Sequence, residues 1–197
     1  MMSQTEFSAM IELLGWLFFD RRTGMQILLL VLAAVLDYQT RRIPNWLVVS
    51  GALYGAIYNT LLPPTPHDNF LFPLMGLALG LVLFLPLYLM RAMGAGDVKL
   101  MAMVGAFLGP ADTLYAALFT MVSGGVLAIL LTLMRGTALA MLKNIAMYFQ
   151  ISLVGVANRA APSLQNVPRA SVGKLPYGVA IAIGTIGYLV LHQLSFI

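Results

Sequence analysis

The sequence predicts an all-α, polytopic membrane protein with about six transmembrane helices, and three observations predict it. The chain has 197 residues, of which 60% are hydrophobic and only 9% charged, whereas an average soluble domain is about a quarter charged. Its mean hydropathy is +0.90, more apolar surface than a water-soluble core of this size can absorb, so the bilayer is the expected solvent. The few charges fall in short clusters between long apolar runs, where they act as topology signals. They form no basic face with interleaved aromatics, so the +4 net charge does not point to nucleic acid.

The elements follow from the apolar runs, which are apolar all round and so read better by hydropathy than by periodicity. They are Gly24 to about Tyr38, Trp46–Leu62, Phe70–Met90, Val98–Gly109, Thr113–Met134 and Leu175–Leu194. Pro44 halts the first helix beyond Thr40 or Arg41. Ala9–Phe19 is too short to span and ends in "GWLFF", which suits an interface, so residues 1–23 read as an N-terminal interfacial segment before a membrane domain at 24–197. Ala138–Ala157 is interrupted by Lys143, Asn144 and Gln150 and reads as an interfacial amphipathic helix within a cytoplasmic or interfacial segment, 135–174. The N-terminus lacks the basic start of a signal peptide, since no Lys or Arg precedes Arg21.

Charge assigns the sides. The loops "YQTRRIPN" and "RAMGAGDVK" carry Arg41, Arg42, Arg91 and Lys99, while the alternate loops "PPTPHDN" and "GPAD" carry no Lys or Arg. The positive-inside rule puts the first pair in the cytoplasm. Arg21 and Arg22 run against that rule, because they precede the first span on the opposite side.

Several chemistries are excluded. Cysteine is absent, so there is no disulfide, thiol nucleophile or Cys-ligated zinc. His67 and His192 lie far apart without metal-ligand spacing and read as loop or helix-end residues, so no metal and no cofactor is expected. That leaves the seven acidic residues, Glu6, Glu12, Asp20, Asp37, Asp68, Asp97 and Asp112. Asp68 and Asp112 sit in the charge-poor loops as turn formers or helix caps. Asp37 ends the run "MQILLLVLAAVLD", and Asp97 stands behind two glycines in "RAMGAGDVKL". Two spans separate them, and an even number of crossings returns the chain to one face. The sequence therefore pairs Asp37 with Asp97 at the cytoplasmic edge of the bilayer.

Two carboxylates sharing a site cannot both ionise readily, so one keeps a proton while the other activates water, the arrangement needed to hydrolyse a peptide bond. Gly94 and Gly96 permit positive φ and close approach of another backbone. Lys99 can act on Asp97, bind peptide carbonyls or snorkel to the interface. The run Val98–Gly109 gives only about 18 Å of helix against a core of about 30 Å. Either the bilayer thins there or Asp97 lies inset from the surface.

Blander readings stand beside these. Asp37 pairs in principle with Arg41 at i, i+4, and Asp97 can cap the helix that follows it. An ion- or proton-coupled transporter using Asp37 and Asp97 is the main rival, and it calls for polar residues at several depths. A non-catalytic assembly subunit packed through small residues is another.

Two motifs carry a resemblance. "GAGDVKL" resembles the G-x-G-D-x-K-L of the type IV prepilin peptidases, bacterial GxGD-class intramembrane aspartyl proteases, and "DYQTRRIPNWL" resembles their D-x5-I-P-N. "KLPYGVAIAIGT" is similar to the P-[FY]-G segment that opens the family's last span. The likeness runs from about Gly24 to the C-terminus, with the two aspartates about 60 residues apart. It implies a membrane endopeptidase that removes the short basic leader of prepilins or pseudopilins at the cytoplasmic face of the inner membrane. Asp37 and Asp97 would be the catalytic pair, Gly94, Gly96 and Lys99 would shape the site, and Pro176 and Tyr177 would lie near the substrate. A presenilin-like protease shares G-x-G-D but not the D-x5-I-P-N context. Many family members carry an N-terminal domain with paired Cys-x-x-Cys motifs associated with N-methylation. With no cysteine, this chain resembles the short, peptidase-only branch linked with Flp-type pili.

Overall fold

A computed structural model describes residues 15, 21–61, 70–90, 92–134, 136 and 176–194. The expectations for residues 1–14 and 16–20, for Leu175 and for Ala138–Ala157 lie outside these. Among the described residues there are six helices: α1 (Arg21–Thr40), α2 (Asn45–Leu61), α3 (Leu71–Leu89), α4 (Ala95–Leu108), α5 (Pro110–Met134) and α6 (Tyr177–Gln193). The sequence order of apolar runs is the order of helices. Three of them, α1, α3 and α5, are long and apolar enough to cross a membrane, and α6 is a shorter apolar helix. The protein is an all-α membrane protein.

Helix α4 organises the rest. Every residue from Leu100 to Leu108 is buried, and α4 packs against α1, α2, α3 and α6. This changes the meaning of its shortness. A helix of 14 residues is about 21 Å long, too little to span on its own, but α4 is enclosed by protein on most sides and need not meet lipid along its length. Small residues permit the enclosure. On α3, Gly76 and Gly80 face the α4 backbone at Gly105 and Met101, and Gly105 answers with its own open side toward Gly76. On α2, Gly51 and Gly55 leave space for Met103 and Phe107. Backbones thus approach closely, the usual route to tight helix association in a membrane, where lipid is as apolar as the side chains.

The α3–α4 pairing also gives a depth scale. The helices run antiparallel, with Gly76 opposite Gly105 and Gly80 opposite Met101, which places Asp97 level with Phe84. Helix α3 continues five residues beyond Phe84 to Leu89, so Asp97 lies about 8 Å inside that end.

The helix ends are closed by specific groups. Gly109, at φ +81°, reverses the chain after α4 and donates its N–H to Gly105 O at 2.9 Å. Pro110 then occupies the first position of α5, where a missing N–H costs nothing. The last carbonyls of α4 receive donors from elsewhere: Asn59 Nδ2 reaches Ala106 O at 2.8 Å and Phe107 O at 3.0 Å, and the Arg22 guanidinium also donates to Phe107 O. A cation at a helix C-terminus complements the macrodipole. Arg22 therefore serves protein structure at the end opposite the Arg41–Arg42 loop, and that is why it departs from the positive-inside pattern.

Helix α5 runs antiparallel to α6. Ser123 Oγ donates to Ala180 O at 2.7 Å, Gly184 lies against the Thr120 backbone, and Tyr115 stacks on Tyr188. Asp112 lies inside the first turn of α5, two residues after Pro110 and not at the N-cap position, and its side chain is near that of Tyr188. His192 lies in the last turn of α6 beside Tyr188. Residues Gly125–Leu175 form a second compact unit, in which α5 continues to Met134.

Candidate active site

The expected site residues start from two helix ends. Helix α1 stops at Thr40, and Arg41 takes a left-handed conformation (φ 55°) while donating its N–H to Asp37 O at 2.9 Å. The chain then runs through Arg42, Ile43 and Pro44 into α2, which begins at Asn45. Asp37 thus lies three residues before the end of α1, on its inward face, with Leu30 and Ala33. Asp97 belongs to α4 itself, in its first turn, because the helix starts three residues earlier than the apolar run suggests, behind Gly94 as N-cap.

The two carboxylates lie on helices that pack against each other. Each residue is only 7% exposed, and Asp37 is within electrostatic reach of Asp97. Each is also held by one glycine N–H. Gly94 N–H donates to Asp97 Oδ2 at 2.9 Å, and the Asp97 N–H returns to Gly94 O at 3.2 Å. Gly178 N–H donates to Asp37 Oδ2 at 2.8 Å. Both donors stand at helix N-termini, where free N–H groups and the macrodipole favour a carboxylate. The capping role foreseen for Asp97 is real, though Asp97 reaches back to the N-cap from inside the helix. For Asp37, the charge of its i, i+4 partner Arg41 bears on the carboxylate. A hydrogen bond to it comes from α6.

The glycines behave differently from the sequence expectation. Gly94 has an extended backbone (φ −83°, ψ 156°), and neither Gly94 nor Gly96 takes a positive φ. What Gly96 provides is proximity. A Cβ there would stand 3.2 Å from Ile43 Cβ, so the I-P-N turn packs directly onto the start of α4. Lys99 does something not foreseen: its Nζ donates to Asn45 Oδ1 at 3.0 Å. The two aspartate segments are therefore interlocked by a packing contact and a hydrogen bond. Pro176 is buried and precedes α6, Tyr177 is partly buried, and both lie at the same end as Asp37 because Gly178 touches it.

Gly178, Ile43 and Asn45 were not among the expected site residues. Their signal was nonetheless visible, because Gly178 directly follows Pro176 and Tyr177, and Ile43 and Asn45 belong to the I-P-N triplet. Where α1 gives way to α2 an open cleft of about 440 Å³ is lined by Leu36, Thr40, Arg42, Ile43, Pro44 and Asn45.

Helices that enclose a short central helix, with one buried aspartate in its first turn and another near the end of the neighbouring α1, define a helical membrane protein that carries two buried carboxylates. Residues 25–129 match the type IV leader peptidase family, and the chain belongs to that family. It is also similar to a prepilin leader peptidase/N-methyltransferase of Myxococcus xanthus, at 33% identity over 139 residues, covering 67% of this chain and 41% of that relative. The chain thus spans about two fifths of the length of the curated relative. No solved structure matches.

Proposed function

We propose that the chain is a membrane aspartyl endopeptidase that removes the basic leader peptide from type IV prepilins of the Flp type, or from pseudopilins, at the cytoplasmic face of the bacterial inner membrane. The observation that carries this reading is that Asp37 and Asp97, on helices packed against each other, are each buried and each gripped at one oxygen by a glycine N–H. Family membership supports the substrate class.

With Oδ2 of each residue engaged by the backbone, the other oxygens face the chemistry. One carboxylate is charged and takes a proton from a water held between the pair. The other is protonated and hydrogen-bonds the scissile carbonyl oxygen, stabilising the tetrahedral intermediate as water adds. Collapse of the intermediate passes a proton to the departing amine. The pair titrates as a unit, so neither aspartate has a fixed role. Gly94, Gly96, Lys99, Pro176 and Tyr177 serve this chemistry by shaping its walls. The lipid bilayer is the partner of the remaining surface, and no metal, cofactor or nucleic acid enters.

Spacing disfavours the transporter. A proton path needs closely set polar groups, yet the next buried polar side chain of α1 on the way to its far end is Gln26, eleven residues and about 16 Å from Asp37 by helical rise. The test is co-expression of a prepilin with wild type, Asp37→Asn and Asp97→Asn. Each substitution is expected to abolish processing while the protein accumulates normally in the membrane. Leader removal by either variant at a rate near wild type would sink the paired-aspartate reading.

A further inference from the structure

The loop that joins α1 to α2 presents a cationic surface at a level that its aromatic neighbours mark. Arg41 and Arg42 are exposed, as is Lys99, whereas Asp37 and Asp97, the acidic residues of these segments, are buried. Lys99 is engaged with Asn45, but the Arg42 side chain has no hydrogen-bond or ion-pair partner among the described residues. Tyr38 and Trp46, on either side of the loop, are exposed, and these are residue types that collect at the headgroup level of a bilayer. Below them, Leu32 and Val35 on α1 and Val49 and Leu53 on α2 are exposed and apolar, a surface suited to lipid chains. The cleft of about 440 Å³ opens at this same place, within the size range of ligand pockets, about 300–1,000 Å³. Leu36, Ile43 and Pro44 line it with partly buried apolar surface, and Arg42 and Asn45 are exposed at its rim. Its walls are fixed: Arg41 turns the chain at φ 55°, Ile43 packs on Gly96, and Lys99 holds Asn45 through Oδ1.

We infer that this cleft binds the headgroup of an anionic phospholipid, with its phosphodiester on Arg42 and its glycerol backbone against Leu36, Ile43 and Pro44. The chains then descend the exposed faces of α1 and α2. The arguments are charge and level. A guanidinium meets phosphate oxygens through two parallel N–H bonds, and the Nδ2 group of Asn45, whose Oδ1 is taken by Lys99, offers a further donor at the rim. A free phosphate would satisfy Arg42 and leave the apolar lining uncovered. A zwitterionic lipid would bring its own cation up to Arg41 and Arg42, where like charges repel. An anionic lipid meets both demands, since basic residues beside a membrane span attract anionic headgroups. The site needs only a bilayer around the helices, so it stands or falls independently of the peptidase reading.

The experiment uses the full chain reconstituted into phosphatidylcholine vesicles, with Trp46 beside the cleft as the reporter. Trp16→Phe leaves Trp46 as the sole tryptophan. Quenching of its fluorescence is followed as phosphatidylglycerol or phosphatidylcholine with brominated chains is titrated in, and the ratio of the two binding constants is read. The single-tryptophan protein is expected to prefer phosphatidylglycerol at least about fivefold, the effect of one arginine beside an anionic surface. Arg42→Gln should lower that ratio by about the same factor. Arg41→Gln, next to the lining but outside it, should lower it less, and Arg21→Gln, at the far end of α1, should leave it unchanged. Quenching by brominated phosphatidylcholine should be equal in all variants, the internal control for folding and insertion. A ratio near one, or a ratio that Arg42→Gln does not move, overturns the inference. So does an equal loss in Arg41→Gln and Arg42→Gln, which would describe a diffuse basic surface and no site. Inorganic phosphate, added at constant ionic strength, should not displace the lipid. If it does, Arg42 serves a free anion and the lipid assignment fails.

Discussion

Gly178→Ala is a sharp test of the site's geometry. A Cβ at position 178 would stand 2.9 Å from Asp37 Cβ, 2.9 Å from its Oδ2 and 3.1 Å from its Cγ. Carbon pairs settle at about 3.5–4.0 Å, so the carboxylate or the start of α6 has to retreat by roughly 0.5–1 Å. The Gly178 N–H···Oδ2 bond, now 2.8 Å, lengthens by the same movement. A misplacement near 1 Å costs on the order of a hundredfold in rate when reacting groups must be aligned. We expect the rate of leader removal to fall by about that factor. The fold should survive, because Ala in place of a helical Gly contributes about 0.5–1 kcal/mol in favour of the helix. The assay is pulse-chase processing of a co-expressed prepilin, with membrane accumulation followed in parallel. Gly187→Ala is the control. It lies on the same helix, where the nearest atom to an added Cβ is Phe119 Cδ1 at 3.9 Å, and it should process normally. Wild-type processing by Gly178→Ala at normal abundance would refute the claim that α6 positions Asp37.

Two further substitutions probe the scaffold. Gly105→Ala drives a Cβ into the Gly76 backbone, with Leu77 N also at 3.0 Å; unlike a flexible side chain, that backbone cannot step aside. A loss of roughly 1–3 kcal/mol is expected, read as a lower midpoint of thermal unfolding in detergent, and an unchanged midpoint would contradict the α3–α4 packing. Asn59→Leu removes both Nδ2 bonds to Ala106 O and Phe107 O. It should cost about 1–3 kcal/mol at the end of α4 remote from the aspartates, lowering the midpoint while prepilin processing at permissive temperature continues.

Much of this was readable from the residues because helix boundaries here are set by local chemistry. Pro44 limits α1, Pro110 opens α5 after a left-handed glycine, and Pro176 precedes α6. The expectation that Asp37 and Asp97 share one face follows from counting crossings, which needs only the number of apolar runs between them. What the residues did not reveal is tertiary. The run of α4 looked like a deficient span, since nothing in its own hydropathy says that neighbours enclose it. The evidence lay instead in Gly51, Gly55, Gly76 and Gly80, spaced four apart on the neighbouring helices. Arg22 looked like a topological exception until its acceptor, Phe107 O, 85 positions away, was known. Lys99 had three equivalent readings, and its bond to Asn45, 54 positions earlier, is none of them.

The arrangement also removes the opposition between a carboxylate that caps a helix and one that does chemistry. Burying two acids near a bilayer is costly unless each is hydrogen-bonded. Here the compensation comes from N–H groups that α4 and α6 must leave unpaired at their starts. Gly94 and Gly178 are suited to the task because a side chain at 178 would strike Asp37 and one at 94 would lie 3.3 Å from Asp97 Oδ2. Capping engages one oxygen of each aspartate and so orients the other. Asparagine can accept the same N–H bond through its amide oxygen but cannot share a proton with a neighbouring carboxylate. The caps alone would therefore tolerate asparagine at positions 37 and 97, and the proposed hydrolytic pair would not, which is why accumulation and processing should separate in those two variants.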